Sequence, residues 1–216
     1  MFAAEDEGRR AETAGMRKGN RLEGTSDYTG AIVTLALALL AFATSTAGAT
    51  AVYRVDPART VAEYTITYLG VLQQHGRFAG TTGTLAVDLD AREGHVEFTI
   101  DARSVDTGFA LRDAFVRDGP LLDVERHASI TFISTRLVFT DLRLARIDGR
   151  LTLRGVTRSV SLDVARFDCG APGAEAPHDC KADATAILRR SDFGMDAYTP
   201  LIGDDIMLAF EVVGRR

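Results

Sequence analysis

Among 216 residues there is no tryptophan, and cysteine, histidine and proline are sparse, at two, four and five copies. With so little proline beside 20 glycines and 46% hydrophobic residues, collagen-like, low-complexity and wholly disordered chains are excluded. Positive charge is not in excess either: 25 Lys and Arg stand against 30 Asp and Glu, a formal net charge of -5. Such a chain has no field for holding a polyphosphate backbone, which argues against nucleic acid as a partner. Gly-x-Ser-x-Gly, His-Glu-x-x-His and P-loop patterns are all missing, and His75, His95, His127 and His178 sit apart without metal-ligand spacing. These absences point away from an enzyme and from a metal site. His75, beside Gly76 in an expected loop, is the one histidine to watch for catalysis.

A membrane-length apolar run is absent too. Residues 31–43 (AIVTLALALLAFA) are 13 residues without a charge, against the roughly 20 that a spanning helix needs. Arg17, Lys18 and Arg21 precede the run, and Ser45-Thr-Ala-Gly-Ala49 follows it with small residues where a signal peptidase cuts. The pattern is that of a secretory signal, with an uncut membrane anchor and a buried core helix as the rival readings. Met16 opens the signal directly as Met-Arg-Lys and is the expected true start, with cleavage expected after Ala49. Removing 49 of 216 residues leaves a single domain over residues 50–216, long enough for a substantial core.

Cys169 and Cys180 bracket a stretch rich in Gly and Pro, which reads as an irregular loop. In an exported protein such a pair reads as a disulfide, the rival being a metal pair with His178 as third ligand. Elsewhere the mature chain alternates with the period of half-buried strands. Ala62, Tyr64, Ile66 and Tyr68 fall on one side of the first run; Leu85, Val87 and Leu89, then Val96, Phe98 and Ile100, repeat the pattern. Val160, Leu162 and Val164 follow, as do Ile206, Leu208, Phe210 and Val212, with further strands expected over residues 129–139, 142–154 and 182–189. Residues 109–118 (FALRDAFVRD) break the rhythm, and Leu111 and Phe115 at helical spacing predict a short helix. About eight meandering strands with one apolar face favour an antiparallel up-and-down β-barrel, filled by side chains or holding one small ligand.

Several short motifs occur in a fixed order: Tyr68-Leu-Gly70, Gly76-Arg-Phe78, Ser104-Val-Asp-Thr107, Ile130-Thr-Phe132, Gly149-Arg-Leu-Thr-Leu-Arg-Gly-Val-Thr157 and Arg190-Ser-Asp-Phe-Gly194. In this order and spacing, the stretch from about residue 53 to 213 resembles the YceI-like family. The resemblance implies an all-β, eight-stranded lipocalin-like barrel, exported to the bacterial periplasm, with a long apolar molecule inside. It implies no cofactor and no catalysis; the partners are a polyisoprenoid or isoprenoid quinone, or a fatty-acid derivative, and a membrane touched transiently. A homodimer is compatible with it. An isoprenoid tail offers no hydrogen-bonding groups, and about 0.8 kcal/mol per buried CH2-sized unit suffices to hold it in an apolar tunnel. The chain departs from the family pattern at Tyr68, where many members have His, and at Asp56-Pro-Ala-Arg-Thr60, where many read Asp-x-x-His-Ser.

The expected tunnel residues come from the apolar face of the strands and the helix. Tyr64, Ile66, Tyr68 and Phe78 stand first, then Val96, Phe98 and Ile100. Phe115, Phe132, Leu151, Leu162 and Phe210 complete the set, Phe115 as a lid on the helix. Arg112, Asp113, Arg190 and Asp192 are headgroup candidates, with surface or structural pairing as their alternative. The competing function is an exported stress-related or interaction protein whose barrel is plugged and holds no lipid. A continuous apolar cavity separates the two.

Overall fold

Alternating side chains commit one face of each strand to an interior, and a sheet of eight such strands closes on itself to remove its edges. The computed structural model describes residues 50–141 and 143–216. The expected signal, its Met16 start and its cut after Ala49 lie outside them. Eleven strand segments occupy eight positions around the wall. The first is β1 (Ala51–Val55) and β2 (Val61–Tyr68), interrupted at residues 56–60; the second is β3 (Leu72–Phe78) and β4 (Thr81–Asp88), bent at residues 79–80. The third is β5 (Glu93–Asp101) and β6 (Val105–Asp106), joined by a 3₁₀ turn at Ala102–Ser104. Then come β7 (Ser129–Thr140), β8 (Arg143–Leu153), β9 (Val156–Asp168), β10 (Asp179–Arg189) and β11 (Ile202–Arg215).

Each position pairs antiparallel with the next, and the last returns to the first. β11 pairs with β2 through Leu208↔Tyr64 and Phe210↔Ala62, and with β1 through Arg54↔Arg215. The eight-stranded up-and-down barrel expected from the alternation is the observed fold. Two segments had no clear period: β1 is short, and β3 (LQQHGRF) puts Gln74 and Gly76 where apolar residues would mark an inner face.

The predicted helix is α1 (Ala110–Arg117), between β6 and β7. None of its residues is buried, so packing alone does not hold it. Polar side chains tie down both ends instead. Asp113 accepts from the Thr107 N–H at 2.7 Å and from its hydroxyl at 2.6 Å. Arg117 donates to the carbonyls of Arg103 at 3.0 Å and Val105 at 2.8 Å.

Two buried clusters fill much of the interior. In the larger, Phe98 stacks on Phe132 with ring centroids 5.1 Å apart and meets Phe210 at 5.5 Å. Phe132 lies on Gly149, across the β7–β8 pair from Ser134, and a Cβ at Gly149 would collide with its ring. The smaller cluster closes one end with Tyr53, Leu85 and Val87 around Cys169 and Cys180. Those cysteines form the expected disulfide, and the Tyr53 hydroxyl donates to the Cys169 carbonyl at 3.4 Å.

Candidate functional site

The other end of the barrel is not filled. Beneath α1 lies a cavity of about 790 Å³, within the roughly 300–1,000 Å³ typical of small-molecule sites. Its wall runs down β2 and β11: Tyr68, Ile66, Tyr64 and Ala62 face it from one, Ile206, Leu208 and Phe210 from the other. Phe98 and Phe210 form its floor, and the Phe132 ring behind Phe98 separates it from the disulfide end. α1 and the 3₁₀ region after β10 cover it with Phe109, Leu111, Phe115, Val116 and Met195.

Of the twelve residues expected to line a ligand tunnel, nine are brought together on the wall of this cavity: Tyr64, Ile66, Tyr68, Phe78, Phe98, Ile100, Phe115, Leu151 and Phe210. The other three stand elsewhere. Phe132 and Leu162 are buried in the larger cluster, and Val96 packs where the two clusters meet. They share the inward phase of their strands but not the depth of the cavity. Lining residues outside the expected set come partly from the strands, as Ala62, Ile206 and Leu208 do, and partly from segments between them, among them Phe109, Leu121, Leu122 and Met195, which carry no period-two signal.

Tyr64 is the main polar group on the wall. Its ring crosses the strand pair onto Gly76, where a Cβ would collide with it, and meets Phe78 at 5.8 Å. Burial pushes its pKa up to about 12, with Arg112 lowering it and Asp113 raising it by charge, so it remains a neutral donor. Tyr68 sits at the mouth and is partly exposed.

The four headgroup candidates have separate fates. Arg190 is only 2% exposed and is consumed structurally: its guanidinium donates to the carbonyls of Gly203, Met195, Ala197 and Ile202 and to the Thr199 hydroxyl. Burial lowers its pKa, while Asp204 and Asp196 oppose that shift. Asp192 pairs with Arg189 at 2.8 Å, and Asp113 is taken up by Thr107. Arg112 donates one bond, to the Thr107 carbonyl at 2.9 Å, and keeps a buried Nε with no partner.

The histidine of interest lies in strand β3, not a loop. His75 is exposed and shares a 2.9 Å hydrogen bond with Thr65 on the neighbouring strand. Among the described residues no group of three or more His, Cys, Asp or Glu is placed to hold a metal ion.

A sequence profile of the YceI-like domain matches residues 53–214. The chain belongs to the YceI-like family. A UPF0312 protein of Pseudomonas aeruginosa is 32% identical over 188 residues, covering 85% of this chain and 97% of its own. One from Pectobacterium atrosepticum is also 32% identical, over 84% of this chain and 94% of its own. Among solved structures, Burkholderia cenocepacia BcnA superposes with a TM-score of 0.61 at 21% identity, over 74% of this chain and 98% of that one. A polyisoprenoid binding domain from Saccharophagus degradans gives 0.55 at 15% identity, over 76% of this chain and 97% of its own. At those identities the two structures show a shared YceI-type barrel.

Proposed function

We propose that the protein is exported to the periplasm and there carries one long apolar lipid, a polyisoprenoid or isoprenoid quinone, between storage and a membrane. The cavity carries the reading. Its wall is aliphatic and aromatic, its floor is closed by Phe98 and Phe210, and its mouth opens beside α1. A hydrocarbon chain gains about 25 cal/mol for each Å² it removes from water, and most of the surface that lines this cavity is apolar. The expected secretion signal and the disulfide both fit an oxidising compartment. A plugged barrel would leave no such volume.

The mouth also supports transient membrane contact. Val71 is 80% exposed and Leu111 74%, and Leu69, Leu72, Phe109 and Leu201 are exposed with them. Three segments bring these residues together: the Leu69 N–H donates to the Leu201 carbonyl at 2.7 Å, and the Phe115 and Tyr198 rings meet at 5.0 Å. An apolar rim around an apolar opening lets a lipid leave the bilayer without crossing water.

Native mass spectrometry of the protein purified from its own host tests the carrier reading. The expected result is an apolar mass that disappears on organic extraction and is restored by incubation with geranylgeraniol. Repeated absence of any bound mass, with no uptake of geranylgeraniol by the extracted protein, would overturn it. Val71→Glu with Leu201→Glu should slow uptake from phosphatidylcholine vesicles at least tenfold while leaving uptake from detergent micelles near the starting rate; equal slowing from both sources removes the membrane step.

A further inference from the structure

Arg112 brings a cation to a chamber lined mainly by apolar side chains. Its Nε is buried without a hydrogen-bond partner, and among the described residues no carboxylate lies within ion-pair distance of it. One Nη donates to Thr107, and the guanidinium carbon stands 5.8 Å from the centre of the Phe109 ring. A buried donor left unpaired is costly, and the cost is larger when the group is charged. Arg190, the other guanidinium on the cavity lining, differs on this point: its donors are spread over five acceptors. The open group therefore belongs to Arg112 alone of the two.

Tyr64 lines the same cavity, and the Arg112 charge works against the upward push of burial on its pKa. A guanidinium and a neutral phenol supply hydrogen-bond donors, and neither the Phe98–Phe210 floor nor the aliphatic wall offers any. We propose that Arg112, assisted by Tyr64, holds the polar end of the bound lipid, a head bearing an acceptor oxygen, and so fixes the head under α1 with the tail toward the Phe98–Phe210 floor. The proposal rests on the lipid-carrier reading and adds to it a direction of binding and a selectivity against bare hydrocarbon.

The test compares three probes with long branched tails, measured by calorimetry on extracted protein: geranylgeranylacetone with a ketone head, geranylgeranyl phosphate with an anionic head, and phytane with none. The wild type should bind the ketone at least tenfold more tightly than phytane. Arg112→Met should abolish that ratio by weakening the ketone alone, Arg112→Lys should restore part of it, and Tyr64→Phe should reduce it less than Arg112→Met. A phosphate that outbinds the ketone, with the same loss in Arg112→Met, keeps Arg112 as the head-holding group and changes the head class. An unchanged ketone-to-phytane ratio in Arg112→Met overturns the proposal, as does equal weakening of every probe, because a merely structural arginine would act on all alike. If phytane and the headed probes all fail to bind the wild type, the carrier reading itself falls.

Discussion

The two ends of one barrel are built from the same alternating strands and finish in opposite ways. At the disulfide end, Tyr53, Leu85 and Val87 close around Cys169 and Cys180, with Arg59 and Asp179 paired outside. At the α1 end a cavity remains beneath the helix, and loops held by polar clamps span the opening. Asp113 and Arg117 fasten the helix, and Arg190 gathers the chain from Met195 to Gly203 through its carbonyls. Apolar packing can order a covering loop only by filling the space beneath it. Hydrogen bonds to the loop backbone order it and leave the space free.

The largest test of this contrast is a pair of truncations. Phe132→Ala removes a fully buried ring that stacks on Phe98, and should cost about 3–5 kcal/mol of unfolding free energy. Phe115→Ala removes a partly exposed ring whose main partner is Tyr198, and should cost only about 1 kcal/mol. Urea denaturation measures both. Similar losses would mean that the open end is packed as firmly as the floor. The next effect in size is the disulfide: Cys169→Ser with Cys180→Ser frees an 11-residue separation and should lower stability by about 3 kcal/mol in the chain-entropy picture. Uptake of geranylgeraniol should persist in that variant at a temperature where it remains folded. Its loss would show that the two ends are coupled.

Much of the barrel was legible in its alternation, and the reason is geometric. A period of two states which side chains face inward, so it assigns Tyr64, Ile66, Phe98 and Phe210 to the inner face, where they line the cavity. It carries no information on height along the barrel axis. Val96, Phe132 and Leu162 share that inward phase yet sit below or beside the cavity, and no count of alternating residues separates them from Phe98. Leu121, Leu122 and Met195 reach the lining from segments without a period, which only the closed chain brings over the opening. Arg190 was harder still. Its residue type suggests solvent or a bound anion, whereas here the ligands of its guanidinium are the protein's own carbonyls.

The smallest effect concerns acid and the helix clamp. The Asp113 carboxyl is held below the usual carboxylate range, first by the Thr107 hydroxyl and then by the Thr107 N–H, with Arg117 adding to the shift and Asp106 opposing it. Asp106 is lowered in turn by the Gly108 N–H and by Arg77. A pKa lower in the folded than in the unfolded state means that the folded state holds fewer protons there, so the clamp contributes fully above the unfolded value near 4. Its contribution falls away as the pH drops through the folded value. Amide exchange within α1, corrected for its intrinsic pH dependence, should therefore show unchanged protection from pH 7 to 5 and reduced protection near pH 3. Asp113→Asn keeps an acceptor oxygen but cannot ionise; it should start with weaker protection at pH 7 and lose less of it on acidification. The amides of the β7–β8 ladder around Phe132, sheltered by packing, should change less than those of α1 over the same interval. A parallel loss in both places would sink the idea that only one end of the barrel depends on polar fastening.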